Sequence, residues 1–597
     1  MQFQKYDHSS KSLFKFVSNI LDHERILSLP PADNLQECVN NFNTFFQKKI
    51  DDIRKSFGDN IDDITRNEMQ FHGKKLSEFR PTTTDEIQEI IKESGFKTSS
   101  VDPIPSCIFK ENKETFLPIL CNIVNASLRS GNTDGTKTAH INPLIKGSSL
   151  DSSEFNSFRP ISNLAFVGKL IERVVLLRLN EHLDDNNLHI PNQSGYKKSH
   201  STETLLIRIV NDILIASSEQ KATVVMMLDL SAAFDTVDHT ILLNILKNEL
   251  GITGTAWEWF KSFITGRCQK VRINNTESYE IIIKFGVPQG SVLGPVLFNI
   301  YIRSLYRTVQ NLKFSIQGYA DDNNVYKSFK PFDQYPILVQ EIPACSQQIS
   351  VWMKLYCLHI NPGKTDIIVF GSQQVLNELK IKGTFLQDNI CIRFSSVVKN
   401  LGFRLDESLT FRNQVTHIKS TCFTKLRSLA RIRSFLNTKQ MTTLVQAVII
   451  LSLDYCNSLY FGCAKSLINQ LQTIQNRGCR LIFGLSKRDN VTEKMKSLHW
   501  LRIEERIIYK VLLLVFKCVH GTAPLYLIEL LSFNNVNSQR KKSLHIAMNE
   551  LSHPRAFQTY APKLWHQLPD CVKSSSTVDT FKSNLKTYLF RKSYNIE

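Results

Sequence analysis

The sequence predicts an α+β fold built on a split βαβ sheet, with mostly helical regions before and after it. Three observations carry that prediction. The run TVVMML, Thr223 to Leu228, is a continuous apolar, β-branched strand that ends at Asp229 and gives way to helical spacing in SAAFDTVDHTILLNIL. The segment KFSIQGYADDNNVYKSF, from Lys313, has the form of two strands joined tightly at the acidic pair Asp321 and Asp322. Helical periodicity dominates residues 35–57, residues 84–94 and most of the chain beyond Phe411.

Taken in order, residues 1–96 read as a helical N-terminal region. Residues 97–146 mix turns, an apolar helix from Thr115 to Leu128 and a short strand in INPLIK. After TVVMML come a helix in TAWEWFKSFI and two strands, QKVRI and YEIIIKF, around Asn274 and Asn275. A helix in SVLGPVLFNIYIRSLY precedes the acidic hairpin, and a helix from Ile342 to Tyr356 and the strand DIIVF follow it. This order fits a split βαβ sheet with helices on one face. Helices are expected at Met441–Leu453, Leu467–Phe483 and Glu504–Val519.

At 597 residues the chain should divide into several packed units, and 42% hydrophobic with 21% charged residues is an ordinary globular composition. The 13 cysteines show no close pair that would clamp zinc, so reduced thiols are expected. The first residues, MQFQKYDHSSKSLFKF, lack the apolar stretch of a secretory signal. The most apolar later stretch, Thr442–Ala464, is interrupted by Gln446, Asp454 and Asn457, so no membrane span is expected. These readings place the protein in the nucleus, the cytoplasm or both.

The net charge of +18 is uneven. Residues 391–597 hold 31 Lys and Arg against 12 Asp and Glu, while the preceding part is close to neutral. Clustered cations bind polyanions by releasing condensed counterions, so the C-terminal third is expected to face nucleic acid.

Adjacent aspartates most often cap helices or sit in exposed turns. A pair at a hairpin tip, with a third aspartate at a strand end, meets a narrower need. Phosphoryl transfer through two divalent cations requires two or three carboxylates on rigid neighbouring strands, because magnesium takes few protein ligands and all of them oxygen.

On seven motifs in one order the sequence resembles reverse transcriptases of non-LTR (LINE-type) retrotransposons, especially the jockey-like and chicken-repeat-like branches. The motifs are FRPIS from Phe158, QSGYKKSHSTET from Gln193, LDLSAAFDTVDH from Leu228, GVPQGSVLGPVLFNIYI from Gly286, YADD from Tyr319, INPGKT from Ile360 and NLGFRLDESL from Asn400. The resemblance is strong over residues 97–409 and weaker to LKTYLFRKSY. It implies a right-hand polymerase: fingers at 97–215, palm at 216–390, a reverse transcriptase domain at about 127–406, and a basic helical thumb and C-terminal region at 391–597.

The implied activity is RNA-directed DNA synthesis, with an RNA template, a DNA primer or target, deoxynucleoside triphosphates, and two Mg2+ ions with Mn2+ as the alternative. Asp229, Asp321 and Asp322 would be the catalytic metal ligands. Arg159, Leu230, Phe234, Gln289, Gly290 and Lys364 would face the nucleotide, Phe234 screening its 2′-position and Gly290 letting the backbone approach nucleic acid. Lys197, Lys198, His200 and Tyr319 would touch template or primer. Relatives in this family commonly carry an N-terminal endonuclease; about 95 residues precede the match here, so a truncated element or a partial gene model is expected. The alternative is a retroelement relic that binds nucleic acid without turnover; a metal-dependent nuclease or cyclase would leave the PQG motif unexplained.

Overall fold

In the computed structural model the described residues are 29–57, 70–94, 101–102, 104–147, 150–334, 336–361, 363, 365–379, 384–387, 390–533 and 553–596. Helices and mixed sheets give the α+β fold that the sequence predicts. Lys364 lies outside the described residues.

The central sheet has four strands in the order Asp366–Phe370, Ala222–Leu228, Asp322–Phe329 and Ser315–Tyr319, every neighbour antiparallel. Helices cover both of its faces rather than the one expected. Val225, Tyr326, Ile368 and Phe370 belong to a core with the Thr202–Ser218 helix and the C-terminal helices. Val224, Met226, Leu228, Val325 and Ile367 belong to a second core with the helices between Gly254 and Leu355. Alternate side chains of a strand point to opposite faces, so an unbroken run such as TVVMML needs an apolar partner on each.

A second sheet lies upstream. Thr138–Ile145 pairs antiparallel with Phe158–Asn163 and parallel with Arg267–Ile273, which also pairs with Thr276–Glu277 and Ile281–Ile283. The Leu35–Lys55 helix, capped by the Asn34 side chain on the Glu37 amide, buries Cys38, Val39, Phe42 and Phe46 against it. Trp259 is fully buried, stacks on Phe263 at 5.4 Å and donates to Ser127 Oγ at 3.0 Å. Trp259→Ala should lower unfolding free energy by about 3–5 kcal/mol, read from a urea transition.

The C-terminal region packs the helices Arg412–Arg431, Lys465–Phe483, Ile503–Val519 and Val578–Tyr594 around one core. The first leaves Arg412, Lys419, Arg427 and Arg431 exposed. Among the described residues no helix is long and apolar enough to cross a membrane, and every described cysteine side chain is a free thiol.

Candidate active site

The strand end and the hairpin tip meet. Leu228 pairs with Asn323 in the last step of the antiparallel ladder, so the next position along sets Asp229 opposite Asp322. Facing residues in such a pair stand roughly 5 Å apart between Cα atoms. Tyr319 pairs with Asp322 across the hairpin, leaving Ala320 and Asp321 as its two-residue loop. All three aspartates therefore sit at one end of one pair of strands. Among the described residues no three His, Cys, Asp or Glu side chains already stand in a metal-holding cluster, so shared ligation is inferred from register and chemistry.

The tip is held by Gln193, the first residue of the QSGYKKSHSTET motif. Ala320 has φ +57°, a left-handed conformation that costs a residue with a Cβ about 1–2 kcal/mol. Gln193, fully buried, offsets this. Its Oε1 accepts from the Ala320 and Gly195 amides, both at 2.8 Å, and its Nε2 donates to the Ala320 carbonyl at 2.9 Å and to the Tyr306 hydroxyl at 3.0 Å. The Gly318 amide donates to Asn192 O and the Ser194 amide to Gly318 O, so the 192–195 segment runs along the hairpin like a further strand. Gly195 can have no side chain because a Cβ would strike the Ala320 amide. On the other side, the Asp229 carbonyl accepts from the Asn361 amide at 2.8 Å, and Leu230, buried, pairs with Ile360.

Phe234 stacks on Phe298 with ring centres 4.7 Å apart, and Tyr196 meets its edge at 6.4 Å. Burial pushes the Tyr196 hydroxyl up, and the nearby Asp321 charge pushes it further. Nothing in the motif singled out Tyr196.

Gln289 is turned toward the protein. Its Nε2 donates to both Asp235 carboxylate oxygens at 2.9 and 2.8 Å, a pairing that does not use its Oε1. The Gln289 carbonyl accepts from the Ser162 amide at 2.7 Å, and Gly290, at φ +128°, cannot carry a Cβ without striking the Ser162 carbonyl. The close backbone approach at Gly290 is thus made to the FRPIS strand. Buried Glu172 accepts from the Val292 and Leu293 amides at 2.6 and 3.0 Å, pinning the other end of the turn, and burial raises its pKa.

Burial pushes the Asp235 carboxyl up to about 6, while Gln289 and Lys49 pull it down. Above that pH both carboxylate oxygens accept from Gln289; below it one becomes a hydroxyl donor and the grip loosens. The Gln289 side-chain amide should therefore lose its fixed orientation as pH falls through about 6, read from its amide proton resonances, and an Asp235→Asn chain should lack that inflection. Stability runs the other way. The folded carboxyl keeps its proton well above the ordinary 3.8, so its contribution is full below about pH 4 and is lost as pH climbs through 6.

The remaining expected positions are more scattered. Arg159 is exposed, three residues before Ser162 on the same strand. Lys197 donates to its own loop at the Ile190 carbonyl, and burial lowers its pKa to about 8. Lys198 is exposed, and His200 Nδ1 is hydrogen-bonded to the Lys198 carbonyl at 2.8 Å with its ring against Tyr526. Tyr319 is half-buried beside the C-terminal core.

Residues 146–405 match the family model for reverse transcriptase (RNA-dependent DNA polymerase). The chain carries a reverse-transcriptase domain. The chain is 29% identical over 366 residues to the probable RNA-directed DNA polymerase from transposon BS of Drosophila melanogaster, covering 59% of this chain and 39% of that protein. The probable RNA-directed DNA polymerase from transposon X-element, from the same fly, is 27% identical over 66% of this chain and 43% of its own length. The RNA-directed DNA polymerase from mobile element jockey of Drosophila melanogaster is 29% identical over 56% of this chain and 36% of its own, in keeping with the jockey-like resemblance. The chain thus spans about two-fifths of the length of these relatives. Among solved structures, an apo telomerase from Candida Tropicalis, truncated from its C-terminal domain, aligns at TM-score 0.33 and 12% identity over 51% of this chain and 60% of its own. That likeness is too weak to bear on the reverse-transcriptase fold described above.

Proposed function

We propose that this chain is the RNA-directed DNA polymerase of a non-LTR retrotransposon, extending a primer 3′-end with deoxynucleotides on an RNA template. The observation that supports this most is the ladder from Leu228–Asn323, which carries Asp229 up to Asp322 and the hairpin tip. Three carboxylates at the end of one rigid strand pair are the oxygen-rich donor set that magnesium or manganese takes. Asp229, Asp321 and Asp322 would hold the ions, which when bound supply charge neutralisation at the attacking and leaving oxygens.

The chain's own residues account for the rest. Gln193 fixes the tip, Asn361 fixes the Asp229 backbone, and Asp235 holds the Gln289 amide through its Nε2. Phe234, held by Phe298 and Tyr196, would exclude a 2′-hydroxyl by bulk. Arg159, Gly290 and Lys364 are assigned to the nucleotide side. Lys198 and His200, with Tyr319, are assigned to template and primer, and Lys197 to holding their loop. Fingers, palm and thumb are assigned to residues 97–215, 216–390 and 391–597, with a nuclear or cytoplasmic site of action.

The test is primer extension by the full chain on primed RNA with deoxynucleotides and magnesium. Product that grows with template length supports the reading; a folded chain that binds primed RNA yet never extends it favours the relic. Phe234→Ala should raise incorporation of ribonucleotides relative to deoxynucleotides at least tenfold, read in the same assay. An unchanged ratio would remove Phe234 from the nucleotide site.

A further inference from the structure

The C-terminal region reaches back to the catalytic hairpin through one side chain. Tyr526, on the short Leu525–Ile528 helix, is 2% exposed and lies in the core that also holds Val225 and Tyr326 of the central sheet. Its hydroxyl stands 2.9 Å from Ser194 Oγ and 2.9 Å from Thr204 Oγ1, both buried and 332 and 322 positions upstream. Thr204 Oγ1 gives its own proton to the Ser201 carbonyl at 2.9 Å, so toward Tyr526 it can only accept. Tyr526 therefore donates to Thr204 and accepts from Ser194, which uses its one proton and a lone pair.

Ser194 stands between the residues that hold the hairpin. Its amide donates to the Gly318 carbonyl at 2.8 Å. Gln193 before it brackets Ala320, and Gly195 after it leaves no room for a Cβ against the Ala320 amide. A second tether starts at the same C-terminal turn. The Tyr526 carbonyl accepts from Arg208 Nη1 at 2.9 Å, Arg208 Nε pairs with Asp212 at 3.0 Å, and Asp212 accepts from the Tyr326 hydroxyl at 2.7 Å. Tyr326 belongs to the Asp322–Phe329 strand. One tether thus ends on the loop that grips the tip, and the other on the strand that leaves it.

We propose that Tyr526 is a positioning residue for DNA synthesis: through Ser194 it sets the 192–195 segment against the hairpin, and so sets where Asp321 and Asp322 stand. The C-terminal region is then a working part of the catalytic site, although it lies outside the matched polymerase domain. The catalytic role rests on the polymerase reading; the tether itself does not. Tyr526 acts only through its neighbours. A buried hydroxyl deprived of its partner is costly to leave unmatched, so without the Tyr526 oxygen the Ser194 side chain, and the loop with it, shifts to find another.

The test compares Tyr526→Phe, which keeps the ring and removes one oxygen, with Ser194→Ala and the double variant, all in the full chain. In primer extension on primed RNA, kcat should fall about tenfold in each single variant, with KM for primer and nucleotide within about twofold of wild type. The double variant should be no slower than the slower single, because both remove the same bond. Hydrogen exchange measured without RNA, metal or nucleotide gives a readout that needs no activity. Amides in 192–196 and 316–322 should exchange about fivefold faster in Tyr526→Phe, while those in 511–518 keep their wild-type rates. An unchanged kcat, unchanged exchange at the hairpin, or losses that multiply in the double variant would overturn the role of Tyr526 and leave the polymerase reading standing. Faster exchange spread over 511–518 as well would make Tyr526 a packing residue of the core, and would also overturn it. A wild-type chain that binds primed RNA and never extends it would overturn the polymerase reading, and the catalytic role of Tyr526 with it.

Discussion

Asp321→Asn is expected to cut primer extension by a factor on the order of 10³ or more, while leaving the fold and the affinity for primed RNA near wild type. Asparagine matches aspartate in shape, so the two-residue loop between Tyr319 and Asp322 keeps its geometry. What disappears is one negative charge where the proposed site would gather two divalent ions. A single preorganised electrostatic partner of a transition state is worth about 10²–10³ in rate. A ligand that recruits the ions themselves should be worth at least as much. Asp229→Asn should give a similar loss from the other strand, and the double variant should be little worse than either, because residues that act as one unit are not additive. Initial rates at saturating primer and nucleotide, beside a circular dichroism melt, check this. Substantial activity in Asp321→Asn would contradict the site.

The second large effect is expected at Gln193, which touches neither ion nor substrate in this account. Gln193→Leu fills the space but strips partners from the Ala320 amide and carbonyl, the Gly195 amide and the Tyr306 hydroxyl. Each buried group left unpaired costs about 1–3 kcal/mol. The left-handed Ala320 should relax, moving Asp321 away from Asp229. The expected result is a fall in kcat of about a hundredfold with primer KM little changed, together with a thermal midpoint lowered by several degrees. Gln193→Glu, which keeps the acceptor and loses the donor, should fall between. A melting shift with unchanged kcat would make Gln193 purely structural.

How far the sequence could be read follows from which contacts are local. The strand ending at Asp229 and the hairpin around Asp321 are marked by residues next to one another, and the ladder then follows from antiparallel register. Helices on both faces of the sheet were not legible, because the second cover comes from the Thr202–Ser218 helix and from C-terminal helices that begin only at Arg412, beyond the last strand of the sheet. The parallel pairing of Thr138–Ile145 with Arg267–Ile273 is likewise long-range.

The same distinction separates the proposed metal ligands from their struts. The aspartates announce themselves by type and position. Gln193, Asp235 and Glu172 act through partners 127, 54 and 120 positions away, and a lone polar residue inside a motif looks alike whether it faces substrate or backbone. Lys197 shows the reverse: a loop lysine that looks solvated is spent on the Ile190 carbonyl. Gly290 was legible as a position that tolerates no side chain, while the group it makes room for, the Ser162 carbonyl, required the fold.

The most direct measurement is anomalous diffraction from crystals of this chain soaked in manganese. The expected result is density within about 2–2.5 Å of carboxylate oxygens from both Asp229 and the Asp321–Asp322 tip, lost in Asp321→Asn. Manganese bound by one strand alone, or elsewhere, in a chain that still extends primers would contradict the claim that the two strands share the ions.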